Sequence, residues 1–459
     1  MLRVMLAMVM GAVAVVPCVG QGVGAKPYMG WSSWSLIRGG PTEDKILAQA
    51  DALKANGLDK VGYQYVNVDD GWQDGYGPDA LPKVKTAAFP HGIDGLAKAI
   101  HERGLKFGIY LNPGIRMELW LANPVIAGTQ IHVRDITDVD HAGSTRNSAK
   151  QNNPKLRAFR IDFSKPGAEA YVQAEAAQLA GWGVDFLKLD FVGPGGGDQF
   201  ADNREELRQW HRAIAKAGRP IWLELSNFMS VNQAEAWRAT ANGWRIENDI
   251  ECYECSRGTD ETRKGNLTEW SKVVTRFADV RAWSRYAGVD AEGKGGWNDL
   301  DTLELGNGDK DGITVAERQS MFAFWAISCA PLYLGSDLTK MDAEDLALIK
   351  NERLIAIDQA GVAAEFVDFP GIRRQKDLQM WATKYPDGSL VVAVFNLGAA
   401  EQTAVIPLDQ LDAVIDTNLK VRGRATDVMT GATVETPNGG LQWPIEPHGV
   451  RVLRWAGSK

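Results

Sequence analysis

Histidine is scarce in this chain. Six are present among 459 residues, His91, His101, His132, His141, His211 and His448, and none falls at the end of an apolar run. A transition-metal centre usually recruits imidazole, so the scarcity argues against one and leaves an all-oxygen Mg²⁺ site as the metal alternative. An excess of basic charge is also missing. With 50 basic and 58 acidic residues the net charge is -8, which argues against nucleic acid as the main partner. No segment beyond the start of the chain reaches transmembrane length, and the run Met5 to Val16 is itself short for a membrane span. Preceded by Arg3 and followed by small residues, it reads as a secretory signal over residues 1–25, with cleavage after Gly20 or Ala25. A secreted or periplasmic protein with no membrane segment after signal removal is expected. Cysteine is rare too. Loss of the signal removes Cys18 and leaves Cys252, Cys255 and Cys329. One CxxC without a second pair is poor evidence for zinc, so ECYEC is read as a local disulfide or two thiols. Cys329 is read as a buried apolar residue.

Tryptophan, by contrast, is plentiful, with 16 copies. Aromatic faces fill cores, and they also serve as platforms for sugars.

From Lys26 to about Asn351 short apolar runs alternate with longer helix-period segments. The strand candidates are YMGWSSW, YQYVNVDDGW, LKFGIYLNPG, VDFLKLDFV, IWLELSN, GWRIENDI, GGWNDLDTL and APLYLGSDL. Between them lie amphipathic stretches such as TEDKILAQADALKANG and GIDGLAKAIHERG, the latter ending on a basic residue and glycine as a helix does. Eight strands alternating with helices predict an α/β fold, a (β/α)₈ TIM barrel over 26–358. Beyond it period-2 segments and a PDG turn predict a small C-terminal antiparallel β-sandwich over 359–459. A long insertion at about 115–165 separates the third strand from its helix. Such a loop lies on the active-site side of a barrel, so it is expected to form a lid or substrate wall, with His132, Arg134 and Asp135 as candidate polar contacts.

Barrel enzymes place catalytic groups at the C-terminal ends of the strands. Those ends here carry Trp34, Asp69, Asp70, Tyr110, Lys188, Asp190, Arg245, Asp249 and Asp301. A lysine and an aspartate at the end of the apolar run VDFLKLDFV need a reason, because unpaired buried charge is costly. Five carboxylates converging with a lysine and an arginine supply one. Glycoside hydrolysis needs two carboxyl groups flanking an anomeric carbon, with polar clamps for the hydroxyls. Paired aspartates suit clamping, since each carboxylate accepts from neighbouring hydroxyls. No cofactor, no metal and no convergent three-ligand cluster is expected.

The ordered motifs KPYMGWSSW, YVNVDDGW, KFGIY, WGVDFLKLD, GWRIENDI, GGWNDLDTLELGNG, WAISCAPLYLGSDL and DLQMWATKYPDGSLVVAVFNLG resemble those of the melibiase-type α-galactosidases, glycoside hydrolase family 27. The resemblance runs from about residue 26 to the end. It implies a secreted or lysosomal retaining glycosidase with a barrel, a C-terminal β-sandwich and no metal requirement. It places the nucleophile on Asp190 and the acid/base on Asp249. Sugar-binding positions fall on Trp34, Asp69, Asp70, Tyr110, Lys188, Arg245 and Asp301. In that role Asp249 is expected to hold a proton at working pH, its pKa raised by a nearby anionic nucleophile.

There are departures. The family's D-D-C-W is here Asp69-Asp70-Gly71-Trp72, and Phe191 stands where a cysteine often follows the nucleophile. The strand-five Cys-Glu-Trp is replaced by Ser226-Asn227-Phe228, for which Glu224 is a candidate substitute one step earlier. Isomaltodextranase-like members also diverge in this region. The sequence therefore predicts an enzyme that releases terminal α-linked galactose from oligo- or polysaccharides by double displacement. The alternatives are a same-family enzyme for α-N-acetylgalactosaminides, β-L-arabinopyranosides or isomaltose-releasing dextran hydrolysis, a non-catalytic carbohydrate-binding barrel, and a metal-dependent lyase or isomerase.

Overall fold

In the computed structural model the described residues are 22–145, 158–195, 201–255, 266–290, 293–368, 377–407, 423–436 and 440–457, with Ile372, Gln375 and Leu411. Nearly all of the expected signal, residues 1–21, lies outside them.

Each of the eight apolar runs contains a short strand. They are β1 (Met29–Ser32), β2 (Tyr65–Asn67), β3 (Lys106–Leu111), β4 (Phe186–Leu189), β5 (Trp222–Leu225), β6 (Gly243–Arg245), β7 (Gly295–Asp299) and β8 (Leu332–Leu334). They pair in parallel in the order β7-β6-β5-β4-β3-β2-β1-β8. The ring closes where Leu303, beyond β7, bridges Leu334 of β8: Leu303 N donates to Tyr333 O at 2.7 Å and Gly335 N to Leu303 O at 3.1 Å. The result is a (β/α)₈ barrel.

Alternation along each strand sets what faces the barrel axis. On β4 Leu187 and Leu189 belong to the main apolar cluster, while Phe186 joins a separate interior one with Tyr28, Tyr65, Trp222, Trp297 and Tyr333. This aromatic layer plugs the barrel. One step up, Lys188 is in register with Tyr110 and Glu224. The lysine thus shares the inward face of its strand, above the plug. Between strands the helices start and stop as their ends dictate. Thr42 caps the helix Glu43–Ala55 by accepting from Lys45 N, with Glu43 and Asp44 in its first turn and Lys54 in its last.

The insertion after β3 folds into a helix (Met117–Ala122) and a three-stranded antiparallel sheet, with Ala158–Ile161 between Ile115–Arg116 and Thr137–Ala142. Its root is knitted to the loop after β4 by buried polar groups. Glu206 accepts from Gly114 N at 2.8 Å, and Asn203 bridges Gly143 O and Gly193 N.

Beyond Asp358 the chain forms antiparallel sheets of six and two strands. The strand Leu390–Asn396 is buried on both faces. Val391, Ala393 and Phe395 pack into the barrel's apolar cluster; Leu390, Val392 and Val394 face the sandwich core. Phe395 lies 5.6 Å from Phe324, and Trp381 5.1 Å from it, by ring centroids. The sandwich therefore docks through aromatic packing.

Candidate active site

At the C-terminal mouth of the barrel lies a cavity of about 360 Å³. All nine positions picked out by the strand ends line it: Trp34, Asp69, Asp70, Tyr110, Lys188, Asp190, Arg245, Asp249 and Asp301. Phe191, Asn227, Glu251, Tyr253, Lys272 and Tyr333 also line it, and sequence reasoning did not single them out for the site apart from the Ser226-Asn227-Phe228 replacement.

Two half-sites can be distinguished. The first is built on β2, β3 and β4. Lys188 Nζ donates to Asp69 Oδ2 at 2.8 Å, and Tyr110 Oη donates to Asp190 Oδ2 at 3.0 Å. Asn112 Nδ2 in turn donates to Tyr110 Oη at 2.8 Å. Burial opposes the charge on Lys188, but Asp69 and then Asp190 outweigh it and raise its pKa. The lysine is therefore a fixed cation. Replacing it by methionine strands the Asp69 carboxylate, which is 4% exposed. Lys188→Met is expected to cost about 3–5 kcal/mol of stability at neutral pH in denaturant unfolding. The loss should shrink at low pH, where Asp69 of the variant takes up a proton.

The second half-site follows β6 and β7. The guanidinium of Arg245 bridges Asp249, at 2.7 Å, and Asp301, at 3.3 Å. Asp301 Oδ2 also accepts from Ile250 N at 2.9 Å, which fixes the loop carrying Asp249. The other Asp249 oxygen accepts from Tyr253 Oη, which itself accepts from Trp34 Nε1 at 3.0 Å. Burial would raise the pKa of Asp249, but Arg245, the Tyr253 hydroxyl and Lys188 outweigh it and hold it at about 2. This reverses the expectation of a protonated Asp249 in the free enzyme: the cations and donor around it win over burial.

Asp249, Glu251 and Asp301 each bring an oxygen within 4.8 Å of the others, a convergence the sequence did not lead us to expect. Guanidinium groups meet these charges. Arg245 holds Asp249 and Asp301, and Glu251 accepts from Ser35 Oγ at 2.8 Å and Arg38 at 3.3 Å. Burial, then Asp301 and Asp249, push the Glu251 carboxyl up to about 8, so near neutrality it is largely uncharged. Arg245 and Arg38 thus supply the positive charge that faces these three carboxyls.

Other expectations need correction. Glu224 does not reach the cavity. It is 1% exposed, its Oε2 accepting from Trp222 Nε1 at 2.8 Å. Asn227 is the lining member of Ser226-Asn227-Phe228. His132, Arg134 and Asp135 are not cavity contacts either. His132 and Asp135 cap a short turn, and Arg134 donates to the carbonyls of Trp120 and Leu121. They hold the insertion together. Among the described residues, its link to the wall is Thr145, whose Oγ1 accepts from Asn227 Nδ2 at 2.9 Å and whose N donates to Phe191 O at 2.8 Å. The CxxC is a disulfide between Cys252 and Cys255, and Cys329 is a buried free thiol.

The departures from the family motifs have local causes. Gly71 has φ +104, and a Cβ there would lie 2.4 Å from Gly39 O, so a cysteine does not fit this turn. Phe191, Asn227 and Asp301 all have positive φ (59, 144 and 75) and all line the cavity. Such backbone is costly for side-chain-bearing residues and gathers at functional sites.

The comparisons with known proteins agree with this architecture. Residues 27–119 and 161–360 match the family described as alpha galactosidase A, and 375–455 match the alpha galactosidase C-terminal beta sandwich domain. The gap between the first two segments falls on the insertion. An α-galactosidase of Oryza sativa subsp. japonica is 30% identical over 83% of this chain and 74% of its own. Alpha-galactosidase 2 of Arabidopsis thaliana is 27% identical over 94% and 89%. Among solved structures, a β-L-arabinopyranosidase of Geobacillus stearothermophilus superposes with TM-score 0.77 at 25% identity, over 95% of this chain and 97% of that one. With its barrel, sandwich and family match all in place, this chain belongs to the melibiase-type α-galactosidases of glycoside hydrolase family 27 and is a glycosidase.

Proposed function

We propose that the protein is a secreted, retaining α-galactosidase that releases terminal α-linked galactose by double displacement, with its chemistry in the barrel (26–358) and residues 359–459 as a companion domain. The observation that carries this reading is the pairing of Asp190 and Asp249 in one cavity, each held by a tyrosine hydroxyl and a neighbouring cation. Asp190 receives a neutral hydrogen bond from Tyr110 beside the Lys188 ammonium; Asp249 is gripped by Arg245 and Tyr253. The Cys252–Cys255 disulfide supports an oxidising compartment.

In the first half-reaction a lone pair of Asp190 forms a bond to the anomeric carbon. The pair of the breaking glycosidic bond moves to the leaving oxygen, which takes a proton from Asp249 after that carboxylate, ionised in the free enzyme, has taken one up from solvent. In the second half-reaction Asp249 takes a proton from water as the water oxygen displaces Asp190, and the anomeric configuration is restored. Asp69, Asp70 and Asp301 accept from sugar hydroxyls, Trp34 offers an apolar face, and Lys188 and Arg245 balance the charge. Because Asp69 is buried, an epimer with a misplaced hydroxyl leaves it without that partner.

A panel of nitrophenyl glycosides tests the sugar. The α-galactoside is expected to exceed the α-glucoside in kcat/KM by about 10³-fold or more. A faster β-L-arabinopyranoside, the substrate class named for the Geobacillus stearothermophilus structure, or a faster α-N-acetylgalactosaminide or α-glucoside, would move the assignment to that sugar.

A further inference from the structure

Tyr253 stands between the two cysteines of ECYEC, a position to which the strand-end pattern assigns no role. The Cys252–Cys255 disulfide closes the turn around it, and Cys252 N donates to Leu267 O at 2.9 Å. The Arg38 guanidinium lies 4.6 Å from its ring centroid, and its hydroxyl links Trp34 Nε1 to Asp249 Oδ2. Arg245 engages the other oxygen of Asp249. To protonate a glycosidic oxygen Asp249 must turn one oxygen towards the substrate, and there the incoming group competes with the donor already bound. Arg245 is buried and bonded to Asp301 as well, whereas Tyr253 is 44% exposed. The tyrosine is the partner able to leave.

We propose that Tyr253 is a positioning residue for Asp249: its hydroxyl holds the carboxylate ready to act as a base, and the leaving-group oxygen takes its place when a glycoside enters. This rests on Asp249 being the acid/base of the reaction proposed above. A donor that stabilises the ionised form favours the second half-reaction, in which Asp249 accepts a proton from water, and works against the first, in which it must already carry one. Arg245 and Lys188 act in the same sense as Tyr253; Asp301, bonded to the same guanidinium, faces the site as a carboxylate, and Glu251 adds a second negative charge only once it ionises. Arg38 offsets Glu251, and Lys272 adds a cation to the wall. Removing the hydroxyl alone leaves all of these in place.

The test is Tyr253→Phe, compared with wild type in the pH dependence of kcat/KM for an unactivated α-galactosyl disaccharide. Above the pKa of about 2 that keeps Asp249 ionised, the falling limb of kcat/KM reports its small protonated fraction in the free enzyme. Loss of a donor to the charged form raises the pKa of that group, so the limb should move to higher pH by about one unit, a tenfold larger protonated fraction on the basic side. A residue needed only for folding would lower the whole curve without moving its limb. Superimposed limbs on an active wild type overturn the proposal and leave the glycosidase reading standing. A wild type inactive on every glycoside overturns that reading instead. The contact is then read by ¹³C-detected titration of the Asp249 carboxyl in both proteins: a higher midpoint in Tyr253→Phe upholds it, and equal midpoints overturn it.

Discussion

Asp190→Ala is expected to lower kcat by at least about 10⁴-fold on every glycoside, activated or not. Without the carboxylate no glycosyl-enzyme forms, and leaving-group quality cannot compensate for a missing nucleophile. The loss should be chemical rather than structural. Asp190 is only partly buried at the cavity wall, and the Lys188–Asp69 pair beside it is intact without it. Thermal unfolding of the variant should therefore stay within a few degrees of wild type. Azide, small enough for the vacated space, should restore part of the turnover on an activated substrate and yield a galactosyl azide of inverted configuration. Full activity of the variant would remove Asp190 from the mechanism.

Asp249→Ala should produce a different pattern. General acid catalysis contributes about 10²–10⁴-fold, but only where the leaving oxygen needs a proton. An unactivated disaccharide should lose that full factor in kcat/KM. A nitrophenyl galactoside, whose phenolate departs with little help, should lose less than about tenfold in the same parameter. Its kcat should fall further, because water then attacks the glycosyl-enzyme without a base. Equal losses in kcat/KM on both substrates would contradict the division of roles between the two aspartates. Arg245 keeps Asp301 as a partner in this variant, so the second half-site should remain assembled.

Much of the site could be read from the sequence because a barrel converts chain position into spatial position. An inward-facing residue near the end of any strand points at the same mouth, so Asp69, Tyr110, Lys188, Asp190 and Arg245 could be collected without knowing how the strands pair. The eight apolar runs carried the fold for the same reason. What escaped depends on contacts that periodicity does not encode. Tyr253 meets Trp34 across 219 residues of sequence and lies on an irregular turn. Glu224 shares the inward face of its strand, yet Trp222 Nε1 holds its carboxyl below the cavity floor. Asn227 enters the wall through positive-φ backbone that alternation does not foresee. The insertion announced itself by length alone, and its charged residues turned out to tie the segment to itself. The protonation of free Asp249 was misjudged because the anionic nucleophile nearby was weighed without the hydroxyl and guanidinium that bond to it.

The central claim is double displacement at Asp190, and the anomer first released tests it most directly. Proton NMR can follow hydrolysis of nitrophenyl α-galactoside at high enzyme concentration, before mutarotation equilibrates the product. Retention requires the H1 signal of α-galactose to appear first and that of the β-anomer only later, at the spontaneous rate. If β-galactose appears first, a single displacement by water is at work, and Asp190 is not a nucleophile.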